Sequence, residues 1–80
     1  MKMAHLYVTA HAQRRALERD LTVELMENIV EMPTSQKQLR RPGPHGGIVY
    51  EFTRRNTDGN IVVIAEVWKT DCWLITAYRK

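Results

Sequence analysis

His11, Arg15 and Arg19 follow one another at intervals of four in the stretch HAQRRALERD. On a helix, that spacing sets an imidazole and two guanidiniums along one side. An imidazole titrates near neutrality and serves as acid or base, while guanidiniums bind a phosphate bidentately and steady added negative charge. Phosphate chemistry is the work these residue types could share. A plainer role is open to each: His11 can cap or pack a helix start, and Arg15 and Arg19 can pair with Glu18, Asp20 or acids of a sheet.

Other constellations are missing from the sequence. His5, His11 and His45 show no ligand spacing, no glycine run matches a phosphate loop, and no Ser-His-Asp set is legible. Cys72 is the single cysteine, which excludes an intramolecular disulfide and argues against a cysteine zinc site; it reads as a small buried residue at a strand start. What remains needs no cofactor. RNA cleavage by internal attack of the ribose 2′-hydroxyl uses a base for the hydroxyl proton, cations for the phosphorane and an acid for the leaving oxygen. His11 would be the acid/base, Arg15 and Arg19 would hold the phosphate, and Tyr78 would be a supporting donor. Arg14, Arg40, Arg41, Arg54 and Thr76 are candidates for RNA contact.

The elements that must position these groups read as β-α-α-β-β-β, an α+β single domain over residues 1–80 with two N-terminal helices on an antiparallel C-terminal meander. HLYVT (5–9) alternates as a short strand. Thr9 is placed to cap a helix through about Arg19, and Thr22 to cap a second from Val23 to about Met32. Leu21 before that cap and Met26 after it form a hydrophobic staple. Residues 33–47, with three prolines and three glycines, read as a loop bearing Lys37, Arg40, Arg41 and His45: either a basic flap or a solvated connection. GIVYEFTRR (47–55), NIVVIAEVW (60–68) and CWLITAYR (72–79) are strands, the middle one most apolar and so central.

With Asp58-Gly59 as a type I′ loop, Phe52 falls opposite Ala65 and Tyr50 opposite Val67. With Thr70-Asp71 as the second loop, Ala65 falls opposite Thr76. One face then holds Ile48, Tyr50, Phe52, Arg54, Val63, Ala65, Val67, Leu74, Thr76 and Tyr78, and should pack on the helices, with Arg79 facing away. The other holds Glu51 opposite Glu66 and the two tryptophans. Trp68 and Trp73 could stack on bases, pair across strands or make an oligomer contact. A one-residue bulge would exchange part of these faces. The triplet can act with Tyr78 only if the first helix lies over the sheet end where Arg54, Val63 and Tyr78 meet.

Charge is segregated. The net charge is +3, but residues 20–31 hold Asp20, Glu24, Glu27 and Glu31 with no basic residue, leaving twelve Lys and Arg against five acids elsewhere, a balance of +7. A basic body with one acidic helix fits an anionic partner such as RNA, or simply a solvated mixed surface. Hydrophobic content of 44% and charged content of 26% fit a globular chain. No segment reads as a signal peptide or membrane span, so a cytoplasmic location and no membrane partner are expected.

His11-Ala12, Arg14 or Arg15, Arg19 and Leu21-Thr22, followed by a second helix, a proline-rich break and the terminal Leu74-Ile75-Thr76-Ala77-Tyr78-Arg79, resemble a family of small bacterial proteins known only as a domain of unknown function. Its members open with a His-Ala-x-x-Arg-x-x-x-Arg-Gly-Ile-type helix and end with a Val-Ile-Thr-x-Tyr-type strand. The family is placed by layout beside the BrnT and RelE toxins, in a group that also contains barnase and colicin-type nucleases. The resemblance implies a BrnT/RelE-like fold and a metal-independent endoribonuclease of toxin-antitoxin type, often neutralised by an antitoxin protein. Its motif positions are His11, Arg15, Arg19, Thr76 and Tyr78. Asp20 stands where the family has glycine, and the 33–47 loop is longer than the resemblance suggests. The alternative is a non-catalytic RNA- or protein-binding module on the same scaffold, with Trp68, Trp73 and the Glu51/Glu66 pair as an interface.

Overall fold

Strand β1 (His5–Val8) leads into helices α1 (Ala10–Glu18) and α2 (Val23–Glu31), and strands β2 (Ser35–Pro42), β3 (Ile48–Asn56), β4 (Gly59–Trp68) and β5 (Asp71–Arg79) complete the chain in a computed structural model that describes residues 3–80. The architecture is α+β, with both helices on one face of a five-stranded mixed sheet in the order β1-β5-β4-β3-β2. β1 runs parallel to β5, and the other neighbours are antiparallel. The apolar strand β4 is central, as its sequence demands.

The helices begin where hydroxyl caps allow. Thr9 accepts from the Ala12 amide at 3.0 Å and also donates to the Leu74 carbonyl at 2.8 Å, so one side chain starts α1 and fastens it to β5. Thr22 accepts from the Leu25 amide at 3.1 Å. Between the helices, the Leu21 amide reaches the Ala16 carbonyl at 2.8 Å and the Asp20 amide the Leu17 carbonyl at 3.4 Å. Those two bonds form a Schellman motif, and its left-handed residue is Asp20, at φ +55°. Ala12, Ala16, Leu21, Met26, Ile29 and Val30 then pack against Phe52, Ile61, Val63, Ala65, Cys72, Leu74 and Ala77. Both members of the Leu21–Met26 staple are buried there.

The expected loop at 33–47 is in part a strand. Residues 35–42 are β2, which pairs antiparallel with β3 from Ser35↔Thr53 to Pro42↔Ile48, with an irregularity between Gln38 and Pro42. As an edge strand with nearly every side chain in solvent, β2 needs no apolar alternation, and its lysine, arginines and terminal proline suit an unpaired edge. Only residues 43–47 remain as the connection to β3.

Register departs from expectation in two ways. The hairpin loops are Thr57-Asp58 and Lys69-Thr70, because Asn56 pairs with Gly59 and Trp68 with Asp71. The positive φ falls on Gly59 and Lys69, so the first turn is not type I′. Phe52 therefore sits opposite Val63 and Tyr50 opposite Ala65, a shift of two residues that leaves the faces of β3 and β4 unchanged. In β5 the faces do change. Ala65 pairs with Leu74 but Ile64 pairs with Thr76, so Ile75 is an extra residue. From Thr76 onward the strand is inverted: Ala77 points to the helices, while Tyr78 packs on the opposite side with Val49, Val62, Ile64 and Leu39. Glu51 lies opposite Ile64 and Lys37, not opposite Glu66, so the expected carboxylate repulsion does not arise.

Candidate nucleic-acid interface

Helix α1 brings His11 and Arg15 together. The Arg15 Nε donates to the His11 Nε2 at 3.4 Å, a long bond that fixes which imidazole nitrogen carries the lone pair. Arg15 also meets Glu18 at 3.3 Å, an exposed i,i+3 pair. Arg14 stands exposed beside them. Arg19 is anchored differently: its Nη1 donates to the Ala77 carbonyl at 2.9 Å, which ties the end of α1 to β5. The face inversion in β5 adds a residue that was expected to point away. Arg79 donates to the Arg19 carbonyl at 3.3 Å and the Asp20 carbonyl at 3.2 Å, closing the C-terminal end of α1. One flank of α1 thus runs from exposed His11 through half-buried Arg15 and Arg19 and on to Arg79.

The other expected site residues lie elsewhere. Arg54 shares the helix-facing side but closes α2, donating to the Asn28 Oδ1 and the Met32 carbonyl at 2.8 Å each. Thr76 and Tyr78 are on the sheet face away from α1 because of the Ile75 bulge, so the helix triplet and Tyr78 are not brought together. Arg40 and Arg41 are exposed on β2. Cys72 is buried, and burial pushes its thiol up to about 12, which suits packing and not nucleophilic attack.

A second cluster, not picked out from the sequence, sits on the open sheet face. Glu66 is a fully buried carboxylate in the central strand. Its Oε2 accepts from the His45 amide at 2.9 Å and the Gly47 amide at 2.8 Å, and its Oε1 meets the His45 Nδ1 at 2.8 Å. Burial pushes the carboxyl up, but the His45 ring, the two amides and the charge on His45 outweigh it and hold the carboxyl below its ordinary value. The ionised carboxylate has no proton to give, so the His45 Nδ1 carries the hydrogen of that bond. A side chain on Gly43 would run into the Glu66 carboxyl, and one on Gly47 would strike the Val67 carbonyl; glycine lets the loop close over this acid. The available signal was a lone glutamate inside the most apolar strand, which must find buried donors.

Among the described residues, no three of His, Cys, Asp and Glu come together as a metal-binding group, and no helix is long and apolar enough to cross a membrane. In comparisons with known proteins, the chain matches no family model, no curated protein and no solved structure.

Proposed function

We propose that this protein binds RNA along the flank of α1 that carries His11, Arg15 and Arg19 and cleaves it by 2′-hydroxyl attack, as a small metal-independent endoribonuclease of toxin-antitoxin type in the cytoplasm. The observation that carries the reading is the contact between His11 and Arg15 on an exposed helix face. A phosphate engaging Arg15 withdraws that guanidinium from His11 and frees the Nε2 lone pair. The 2′-hydroxyl proton passes to Nε2, the 2′ oxygen bonds to phosphorus, and the bond to the 5′ oxygen breaks. The leaving oxygen takes a proton from solvent, and the products are a 2′,3′-cyclic phosphate and a 5′-hydroxyl. Arg19 and Arg79 extend the positive strip for the flanking phosphates. An antitoxin protein that neutralises this activity would cover the same strip, and its acidic character would match it.

The test is incubation of end-labelled single-stranded RNA with the protein in the presence of a chelator. Products with cyclic phosphate ends, lost in His11→Ala and in Arg15→Ala while the circular dichroism spectrum is retained, are the expected result. A second reading is favoured by the placement of Tyr78, which packs on the sheet face away from His11. On that reading the scaffold is a non-catalytic RNA- or protein-binding module. Steeply salt-dependent RNA binding with no cleaved product would select it.

A further inference from the structure

The sheet face left open by the helices carries a row of stacked rings. Tyr7 of β1 stacks on Trp73 of β5 with 5.4 Å between centroids and 16° between planes. Trp73 stacks in turn on His45 at 4.1 Å and 4°. His5 extends the row beyond Tyr7, and Trp68 sits on the same face one step along β4, diagonal to Trp73 in register. Tyr7 is 45% exposed and Trp68 48% exposed, so large ring surfaces face solvent here.

The charges around the row select an anionic partner. Two acids of this corner are already occupied, Glu66 by His45 and Gly47, and Asp71 by His5 at 3.1 Å; Glu51, on the same face, lies opposite Lys37. Two arginines are not occupied. Arg40 and Arg41 make no side-chain hydrogen bond among the described residues, and together with Gly46 and Gly47 beside His45 they line a cavity of about 350 Å³. Lys69, by contrast, is engaged: its Nζ lies over one face of the Trp68 ring, 5.7 Å from the centroid, and leaves the other face of that ring to a ligand. The Glu66 carboxylate also orients the His45 ring parallel to Trp73, so the outermost ring of the row is held in a fixed plane.

We propose that this face is a stacking platform for single-stranded RNA, with unpaired bases on the open face of His45 and on Trp68, with Tyr7 and Trp73 backing the row, and with backbone phosphates at Arg40 and Arg41. Flat rings, with free guanidiniums lining a cavity that borders the same 43–47 connection that carries His45, match a ligand that is both aromatic and anionic. Bases in a duplex are stacked on one another and cannot reach such rings, so unpaired strands are the class recognised. The platform rests on the RNA reading above and names its substrate class. It places a second RNA contact on the sheet face opposite α1.

The test is fluorescence anisotropy with the full chain, a labelled single-stranded oligonucleotide and a duplex of the same length. Binding of the single strand is expected to exceed that of the duplex. Tyr7→Ala and His45→Ala are expected to weaken it by about five- to a hundredfold, and Tyr7→Phe to restore it. Arg40→Glu with Arg41→Glu should weaken binding and flatten its salt dependence. His11→Ala with Arg15→Ala should weaken single strand and duplex in the same proportion, because the α1 strip engages phosphates and not bases. Binding that is lost in the α1 double variant but unmoved by Tyr7→Ala and His45→Ala would overturn the platform and leave the α1 strip standing. No RNA binding at all would overturn both. Concentration-dependent dimerisation abolished by Tyr7→Ala, with no preference for single strands, would assign the face to a second copy of the chain instead.

Discussion

Glu66 Oε1 accepts a 2.8 Å hydrogen bond from His45 Nδ1, and that contact holds the 43–47 connection over the central strand. The folded carboxyl lies below its ordinary 4.5, so the native state binds fewer protons than the unfolded chain in that range. The stabilisation is therefore fully present above pH 4.5 and lost as pH falls through the folded value. Thermal midpoints recorded from about pH 3 to about pH 7 should fall on the acid side, and Glu66→Gln should flatten that part of the curve. Glu66→Ala should cost about 2–3 kcal/mol at neutral pH, because two amides and an imidazole lose their acceptor. A Glu66→Gln protein with an unchanged acid slope would show that other carboxylates govern the pH response.

Asp20 is in the left-handed region at φ +55°, just past the end of α1. A Cβ there is unfavourable, and a negative charge at a helix C-terminus opposes the dipole. Glycine removes both penalties and gives back part of the gain through greater freedom when unfolded. Asp20→Gly is expected to raise stability by about 0.5–1 kcal/mol, read as a higher urea midpoint with an unchanged slope. A lower midpoint would mean that the aspartate supports the turn.

The arginines divide by what they hold. Arg54 and Arg79 each close a helix C-terminus, and Arg19 bonds the Ala77 carbonyl, whereas Arg15 bonds the exposed His11 and Glu18 of its own helix. Alanine at Arg19, Arg54 or Arg79 should cost about 1 kcal/mol, while Arg15→Ala should stay within about 0.5 kcal/mol. Chemical denaturation of the four variants separates these groups. Equal losses at all four would mean that the α1 strip is structural throughout.

The elements that bury an apolar face were legible in the sequence. Thr9 and Thr22 cap where the hydroxyls predict, Leu21 and Met26 are both in the core, and the apolar run Ile61–Ala65 is the centre of the sheet. β2 was hidden because a strand exposed on both faces leaves no alternation, and its prolines and glycines resemble loop chemistry. The inversion at Ile75 was hidden for a different reason. Ile75-Thr76-Ala77-Tyr78 alternates acceptably in either phase, so only the packing of Ala77 beneath α1 decides it. The pairing of Glu66 with His45 joins residues twenty-one apart across β3 and a hairpin, so the lone glutamate in an apolar strand signals a need for buried donors without saying which residues supply them. Of the expected site, the neighbourhood of His11 and Arg15 follows from helical spacing alone, whereas the place of Tyr78 depended on register.

That separation gives the sharpest test of where any chemistry occurs. His11 projects from the helix layer, and Tyr78 packs with Val62 and Ile64 on the far side of the sheet. If the α1 strip cleaves RNA, His11→Ala should lower the cleavage rate by about a hundredfold or more, the usual contribution of a positioned acid/base. Tyr78→Phe should leave the rate within about twofold, since the phenol cannot reach a phosphate held at Arg15. Thr76→Val should behave like Tyr78→Phe. Rates are to be measured on the same single-stranded RNA with folding checked by circular dichroism. If Tyr78→Phe abolishes cleavage and His11→Ala does not, the reacting phosphate lies on the open sheet face, and His45, whose ring is oriented by Glu66, becomes the base to test next.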